Sequence, residues 1–172
     1  MEFRIERAGK DDIAAIMNLV VEVHEQIPEE RKCWFVINPE EDTQLLEEGK
    51  CWGYTAVDAE TGKLAAAFIA AFPGTSSNNL GYDSGLPEEE IPKVAHMDTA
   101  VVSPEYRGCG LQKRMMEFAE EDLRKAGYHY LCCTVHPDNV YSKNNVLKQG
   151  YKIMATKEKY NGFLRHVFLK EI

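Results

Sequence analysis

The sequence predicts a single α/β domain of the mixed α+β kind, with a central mixed β-sheet flanked by helices. Short runs of β-branched and aromatic residues recur along the whole chain, as expected for a sheet of many strands. In the second half these runs alternate with helical patterns, which indicates strand–helix–strand crossovers. The length of 172 residues suits one domain with a buried core, and no repeat or linker divides it.

The first half begins with an alternating strand, Phe3–Arg7, followed by a helix that Asp11 or Asp12 can cap. One face of this helix is apolar and consists of Ile13, Ile16, Met17, Val20 and Val23. Residues 27–39 contain two prolines and are predicted to be irregular. Residues 40–48 are predicted to form a short acidic helix, and residues 51–57 and 64–72 a hairpin whose turn contains Gly62.

The second half opens with a long polar connection, residues 73–92, which is predicted to be either a functional lid or a disordered loop. A strand over residues 93–102 follows, and then the clearest helix, over residues 111–126. Its apolar face consists of Leu111, Met115, Phe118, Ala119, Leu123 and Ala126. The remaining pattern predicts a strand at 128–135, a helix at 140–149, and a hairpin of 151–160 and 163–169 across Asn161-Gly162.

Charge is distributed unevenly along the chain. Residues 1–92 carry 19 acidic and 7 basic side chains, whereas residues 93–172 carry 9 acidic and 13 basic ones. This balance argues against nucleic acid as a partner, because phosphate binding needs a basic footprint. The acidic half suits a cationic ligand, and the alternative is that it serves only solubility.

Other classes of protein are also disfavoured. No apolar run is long enough to cross a bilayer, and the N-terminus lacks the apolar region of a signal peptide, so we expect a cytoplasmic protein without a membrane partner. The five cysteines have no disulfide-like spacing. We expect no metal site, because Cys132 and Cys133 would point to opposite faces of a strand.

The most informative segment is residues 98–112, in which a strand leads through a proline turn and two glycines into a helix. Gly108 and Gly110 permit close backbone approach, and the first N–H groups of a helix bind phosphate or pyrophosphate. A Walker loop is excluded because Leu111 follows Gly110, and a dinucleotide fingerprint is excluded by Lys113 at the third glycine position. The two glycines and the helix start therefore predict a site for an anion, but they do not identify the anion.

This turn resembles the Arg/Gln-x-x-Gly-x-Gly/Ala signature of the GNAT superfamily of acetyl-CoA-dependent N-acetyltransferases. It reads Arg107-Gly-Cys-Gly110-Leu-Gln112, with Gln112 in place of the final small residue. Matching elements are Val102-Ser-Pro-Glu-Tyr-Arg-Gly108 before the turn, and Asn139-Val-Tyr-Ser142 and Gln149-Gly-Tyr151 after it. The resemblance covers essentially the whole chain.

The resemblance implies a GNAT-like sheet that splays open between its fourth and fifth strands, with the pantetheine arm of acetyl-CoA in the wedge. The implied cofactor-binding residues are Ala100 and Val102 for backbone pairing with pantetheine, Arg107, Gly108, Cys109, Gly110, Leu111 and Gln112 for the pyrophosphate, and Asn139 and Ser142 for pantetheine. Lys113, Arg114, Lys143 or Lys148 can neutralise the nucleotide phosphate, and none of the four is preferred.

The resemblance also points to catalytic residues. His96 stands at the fourth-strand position where the histone-acetyltransferase branch of the family has a glutamate base, and Asp98, on the same strand face, can orient its imidazole. His136 is a second candidate base. The family tyrosine that protonates the thiolate is replaced by Val146, so Tyr141 or solvent is expected to supply that proton.

The sequence therefore predicts an enzyme that moves acetyl from acetyl-CoA to a primary amine by direct transfer in a ternary complex. The acceptor is expected to be a small cationic amine or an amine of a peptide or protein. Two alternatives stay open: a non-catalytic acyl-CoA-binding sensor, suggested by Val146, and an interaction protein unrelated to CoA. A homodimer is expected by analogy with relatives alone.

Overall fold

A computed structural model describes residues 1–172 and contains one seven-stranded sheet with five α-helices. The strands are β1 (Phe3–Arg7), β2 (Cys51–Asp58), β3 (Leu64–Ala71), β4 (Val94–Val102), β5 (Tyr130–Val135), β6 (Lys152–Lys159) and β7 (Phe163–Glu171), and the helices are α1 (Ile13–Glu25), α2 (Pro39–Glu47), α3 (Leu80–Asp83), α4 (Leu111–Lys125) and α5 (Val140–Lys148). The strand order is β1-β2-β3-β4-β5-β7-β6. A parallel β4–β5 pair beside antiparallel ladders confirms the predicted mixed sheet.

The residues cluster into two compact units, each made of two separate stretches of chain. Unit 1 comprises Met1–Ala71 and Asp98–Ala119, and unit 2 comprises Phe72–Met97 and Glu120–Ile172. Strand β4 and helix α4 each contribute residues to both units. The organisation as a single domain stays a prediction, as does the splay between the fourth and fifth strands.

Unit 1 is built on the antiparallel strands β1, β2 and β3. Helix α1 buries four of its five predicted apolar residues, Ile13, Ile16, Met17 and Val20, in a core that also contains Leu46, Ile69 and Val101. Each such side chain contributes about 1.5–3 kcal/mol through removal of its surface from water. The predicted cap is partly corrected: Asp12 precedes α1, but its carboxylate accepts the N–H of Gly9 at 2.7 Å.

The stretch predicted to be irregular, residues 27–39, contains a 3₁₀ helix at Glu29–Trp34. Its sequence lacks the apolar spacing of an α-helix, and a 3₁₀ turn needs only a short run of i→i+3 bonds. Helix α2 follows, with Pro39 at its first position, one residue before the predicted start.

Unit 2 is built on the antiparallel strands β5, β7 and β6 together with the start of β4, which runs parallel to β5. Its core contains Leu80, Val94, Cys132 and Val167. Burial raises the pKa of the Cys132 thiol to about 12, so this cysteine stays protonated near neutral pH. All five cysteines are free thiols. No helix has the length and apolar character needed to span a bilayer.

The polar connection at residues 73–92 is ordered, and Asn79 holds its ends together. The Asn79 side chain is wholly buried, and its Nδ2 donates to the carbonyl oxygens of Gly74 at 2.7 Å and Ile91 at 3.0 Å. Its Oδ1 accepts the N–H of Gly81 at 2.8 Å. Disorder of this connection is therefore the wrong alternative, and the role of a lid stays a prediction.

Replacing Asn79 with alanine should lower the free energy of unfolding by about 3 kcal/mol, because the buried Ile91 carbonyl, the buried Gly81 N–H and the Gly74 carbonyl all lose their partner. Urea unfolding measures the change. The control is Asn78→Ala at the exposed neighbouring position, which should change stability by less than about 0.5 kcal/mol. Equal effects of the two substitutions would contradict the role assigned to Asn79.

Tyr151 is the one buried side chain whose polar atom has no hydrogen-bond partner. The residue is 3% exposed, and its hydroxyl bonds to nothing, while Lys170 Nζ lies 5.8 Å from the ring centroid. Tyr151→Phe should therefore raise the free energy of unfolding by about 1 kcal/mol, because it removes an unsatisfied hydroxyl and keeps the ring. Thermal unfolding tests this prediction, and a lower melting temperature in the variant would contradict it.

Candidate functional site

Strand β4 presents alternate residues to two different environments. Ala95, Met97, Thr99 and Val101 are buried, and the residues between them are more open. The more open face therefore carries His96, Asp98, Ala100 and Val102. These are the four β4 residues that the sequence assigned to the site, and their roles there stay predictions.

The surroundings of His96 do not support its predicted role as a base. Its Nε2 accepts the backbone N–H of Leu80 at 3.0 Å, so the lone pair that would take a proton is already engaged. Burial first, and then the charge of Lys159, lower the pKa of His96 to about 4, while Asp83 opposes them. His96 is thus a neutral acceptor that fixes the start of α3, and its partner is a backbone amide instead of a carboxylate.

Asp98 retains solvent access and lies among other carboxylates. Its Oδ2 accepts the hydroxyl of Thr99 at 3.1 Å. Asp98 is exposed, but the protein around its carboxyl group raises the pKa by partial desolvation. The hydrogen bond from Thr99 opposes this rise in pKa, and the charge of Glu41 adds to it. A carboxylate whose pKa is raised in this way is a better proton acceptor than an ordinary aspartate.

Glu41, Asp42 and Asp98 form what we call the acidic cluster. Burial first, and then the charges of Asp98 and Glu41, raise the pKa of Asp42 to about 6. The same three carboxylates, after burial, raise the pKa of the neighbouring Cys51 thiol to about 12. Glu41 and Asp42 lie in the predicted acidic helix at residues 40–48, but only the folded chain shows that Glu41 acts on Asp98 and that Asp98 acts on Asp42.

The turn after β4 has the geometry of an anion cradle. Gly108 and Gly110 adopt φ values of +83° and +69°, and a Cβ at either position would meet no atom within 4 Å. Helix α4 starts at Leu111, and its first regular bond runs from the N–H of Arg114 to the carbonyl of Gly110 at 3.1 Å. The N–H groups of the preceding helical residues have no partner within the helix. Open space beside the two glycines, together with helix N–H groups that lack a helical partner, fits a pyrophosphate.

The turn residues contribute in different ways. Arg107 is exposed, Cys109 and Gln112 are partly buried, and Leu111 is 2% exposed, so the Leu111 side chain belongs to the core and not to a ligand site. The N–H of Cys109 points to the carbonyl of Tyr106 at 3.4 Å, which closes the turn. Cys109 is therefore the weakest of the predicted pyrophosphate donors.

The residues at the start of α5 are also ordered by their own chain. Asn139 caps this helix, because its Oδ1 accepts the N–H of Ser142 at 3.3 Å. Ser142 is partly buried, Tyr141 is 74% exposed, and Val146 is 2% exposed. Exposure leaves the Tyr141 hydroxyl without a fixed position. His136, the second candidate base, accepts the N–H of Asp138 on its Nδ1 at 3.1 Å.

No three or more His, Cys, Asp or Glu side chains lie close enough together to hold a metal ion.

The sequence did not predict the contacts of Tyr106. This residue is 4% exposed, and its hydroxyl donates to Asp58 Oδ2 at 3.0 Å across 48 positions of sequence. The tyrosine was visible in the Val102–Gly108 motif, but no sequence signal pointed to its partner.

A strand, a glycine turn and a helix start in this order form the kind of site at which proteins bind phosphate or pyrophosphate groups. The family model described as Acetyltransferase (GNAT) family matches residues 15–151. The chain therefore belongs to the GNAT acetyltransferase family, whose members are acyltransferases with acetyl-CoA as co-substrate. The family prediction is confirmed. A comparison with curated proteins finds no match.

Solved structures have the same fold at low sequence identity. One is the NatC complex bound to Gag peptide and CoA, at 14% identity and TM-score 0.72, with 100% of this chain and 99% of that chain covered. A GNAT-family acetyltransferase from Listeria monocytogenes has 19% identity and TM-score 0.71, covering 100% and 96%. The ribosomal-protein-S18-alanine N-acetyltransferase from Escherichia coli has 16% identity and TM-score 0.71, covering 99% and 94%.

Proposed function

We propose that this protein transfers the acetyl group of acetyl-CoA directly to the primary amine of a cationic acceptor. The observation that carries the proposal is the cradle at Gly108 and Gly110, where two left-handed glycines with open space beside them lead into the start of a helix. Acetyl-CoA supplies the acetyl group and a thiolate that leaves. Residues 107–112 would hold its pyrophosphate, and Asn139 and Ser142 its pantetheine.

The acidic cluster supports a cationic acceptor. Glu41 and Asp98 influence the same carboxylate, Asp42, and a protonated amine that approached them would be attracted by all three. Two structural neighbours are described as acetylating the alanine of ribosomal proteins S18 and S5, and NatC was solved with a peptide. These likenesses favour a peptide or protein amine, with a small cationic amine as the second possibility.

We assign the role of general base to Asp98 in place of His96. Asp98 has a raised pKa and an open position on β4, whereas the His96 lone pair is occupied. Asp98 would take the proton of the amine as nitrogen attacks the thioester carbon and the C–S bond breaks. Val146 has no proton to give, so the thiolate would be protonated by solvent or by Tyr141.

The first test is isothermal titration of the protein with acetyl-CoA and with CoA. Low-micromolar binding of both is expected, followed by amine-dependent release of thiol with alanine- or lysine-bearing peptides and polyamines. An absence of binding would remove the proposal. Binding without turnover across a broad panel of amines would favour the second candidate, an acyl-CoA sensor, which the valine at position 146 supports. We also propose cytoplasmic residence and a homodimer, which fractionation and analytical ultracentrifugation would test.

A further inference from the structure

The turn that would hold the pyrophosphate is fastened on both sides to the sheet of unit 1. Before the turn, the N–H of Ser103 donates to the carbonyl of Ala65 at 2.9 Å, and Tyr106 is buried. The Tyr106 ring meets the ring of Phe3 edge-on, with the centroids 5.7 Å apart. After the turn, the guanidinium of Arg114 lies 5.5 Å from the centroid of the same Phe3 ring. Phe3 thus contacts both sides of the turn.

The hydroxyl of Tyr106 adds side-chain hydrogen bonding to this arrangement, and it lies 3.4 Å from the hydroxyl of Thr61. It donates to Asp58 Oδ2 at 3.0 Å, at the end of β2. The Asp58 carboxylate also accepts the N–H of Glu60 at 3.0 Å and the hydroxyl of Thr61 at 2.8 Å, both within the β2–β3 turn. These bonds, with Glu60 first, hold the pKa of Asp58 below its ordinary value, so the acceptor is ionised at neutral pH and its bonds are charge-assisted.

We propose that Tyr106 is a positioning residue for cofactor binding, in which its hydrogen bond to Asp58 sets the orientation of residues 107–112 toward the pyrophosphate. The inference rests on the proposed function. Tyr106 directly precedes the turn, and its carbonyl closes the turn by accepting the N–H of Cys109, so a shift of Tyr106 moves the backbone of the turn with it. The distant partner of the cradle is thus a carboxylate at the end of β2, next to the hairpin turn between β2 and β3.

Tyr106→Phe isolates this bond. The variant keeps the ring against Phe3, and Asp58 keeps its two donors within the hairpin turn, so only the connection between hairpin and cradle is lost. We expect the dissociation constant for CoA to rise about tenfold, as measured by isothermal titration. Amide hydrogen exchange of residues 107–112 should accelerate, while exchange within β2 and β3 stays unchanged.

Two further variants make the result specific. Asp58→Asn weakens the same bond from the other side and should also raise the dissociation constant for CoA. Glu105→Gln is the matched control: it breaks only the exposed ion pair of Glu105 with Lys63, 3.4 Å long, and should leave CoA affinity unchanged. Faster exchange throughout the sheet in Tyr106→Phe would show a general structural role and overturn the proposal.

The outcomes separate this inference from the proposed function. If the unmodified protein fails to bind CoA, the proposed function fails and the inference falls with it. If the unmodified protein binds CoA and Tyr106→Phe binds equally well with unchanged exchange at residues 107–112, the proposed function stands and the positioning role is wrong.

Discussion

Replacing Gly110 with tryptophan should abolish CoA binding, with a loss of affinity of at least about 100-fold. Gly110 adopts a φ of +69°, where a side chain adds about 1–2 kcal/mol of strain. More important, a Cβ here would project into open space, so the indole would occupy the volume expected for the pyrophosphate. Isothermal titration with CoA measures the loss, and circular dichroism checks that the variant is folded.

The chain offers a matched control for this substitution. Gly49 has a φ of +71°, and a Cβ placed on it would meet no atom within 4 Å, as at Gly110, but Gly49 lies between α2 and β2. Gly49→Trp should therefore suffer similar backbone strain and keep its affinity for CoA. Unchanged affinity in a folded Gly110→Trp variant would instead remove the pyrophosphate assignment and the proposed function.

Asp98→Asn should reduce the turnover number of amine acetylation about 100- to 1,000-fold, because asparagine cannot take the proton of the amine. The affinity for CoA should not change, since the proposed cofactor contacts of β4 are made by the backbone of Ala100 and Val102. Steady-state thiol release with the best amine from the screen gives the turnover number. A variant that retained more than about a third of the activity would show that Asp98 is not the base.

The pH dependence provides a second readout for Asp98. A base works when it is ionised, so the rate should rise with pH through the raised pKa of Asp98 and be lost below it. Glu41 is one cause of the raised pKa, and therefore Glu41→Gln should move the acidic limb of the profile to lower pH. The limb should be absent in Asp98→Asn. If the acidic limb of the pH–rate profile stayed at the same pH in both variants, the group that titrates would not be Asp98.

Much of the fold was predictable because the signals are local. The alternation of Phe3–Arg7 predicted β1, and the glycine turn at residue 62 predicted the β2–β3 hairpin, within one residue at each strand end. The predicted strand 128–135 starts two residues later in the structure, at Tyr130. Ends of elements depend on tertiary contacts that periodicity does not encode.

The site was only partly predictable, because some of its features are local and others depend on tertiary contacts. Backbone geometry at Gly108 and Gly110 follows from residue type, so the cradle could be located from the sequence. The state of His96 depends on an N–H donated from 16 positions upstream, within a connection that has no helical periodicity. The bond from Tyr106 to Asp58 spans 48 positions. Such partners follow from the fold and not from spacing.

The interleaving of the two units has a consequence for synthesis on the ribosome. Unit 1 is complete only when it contains Asp98–Ala119. Its first stretch, Met1–Ala71, therefore cannot finish folding until these later residues have emerged from the ribosome. Until then, Ile13, Ile16 and their neighbours lack Val101, a member of their core. The nascent chain therefore carries incompletely covered apolar surface through part of its translation, and such surface makes a folding intermediate prone to aggregate.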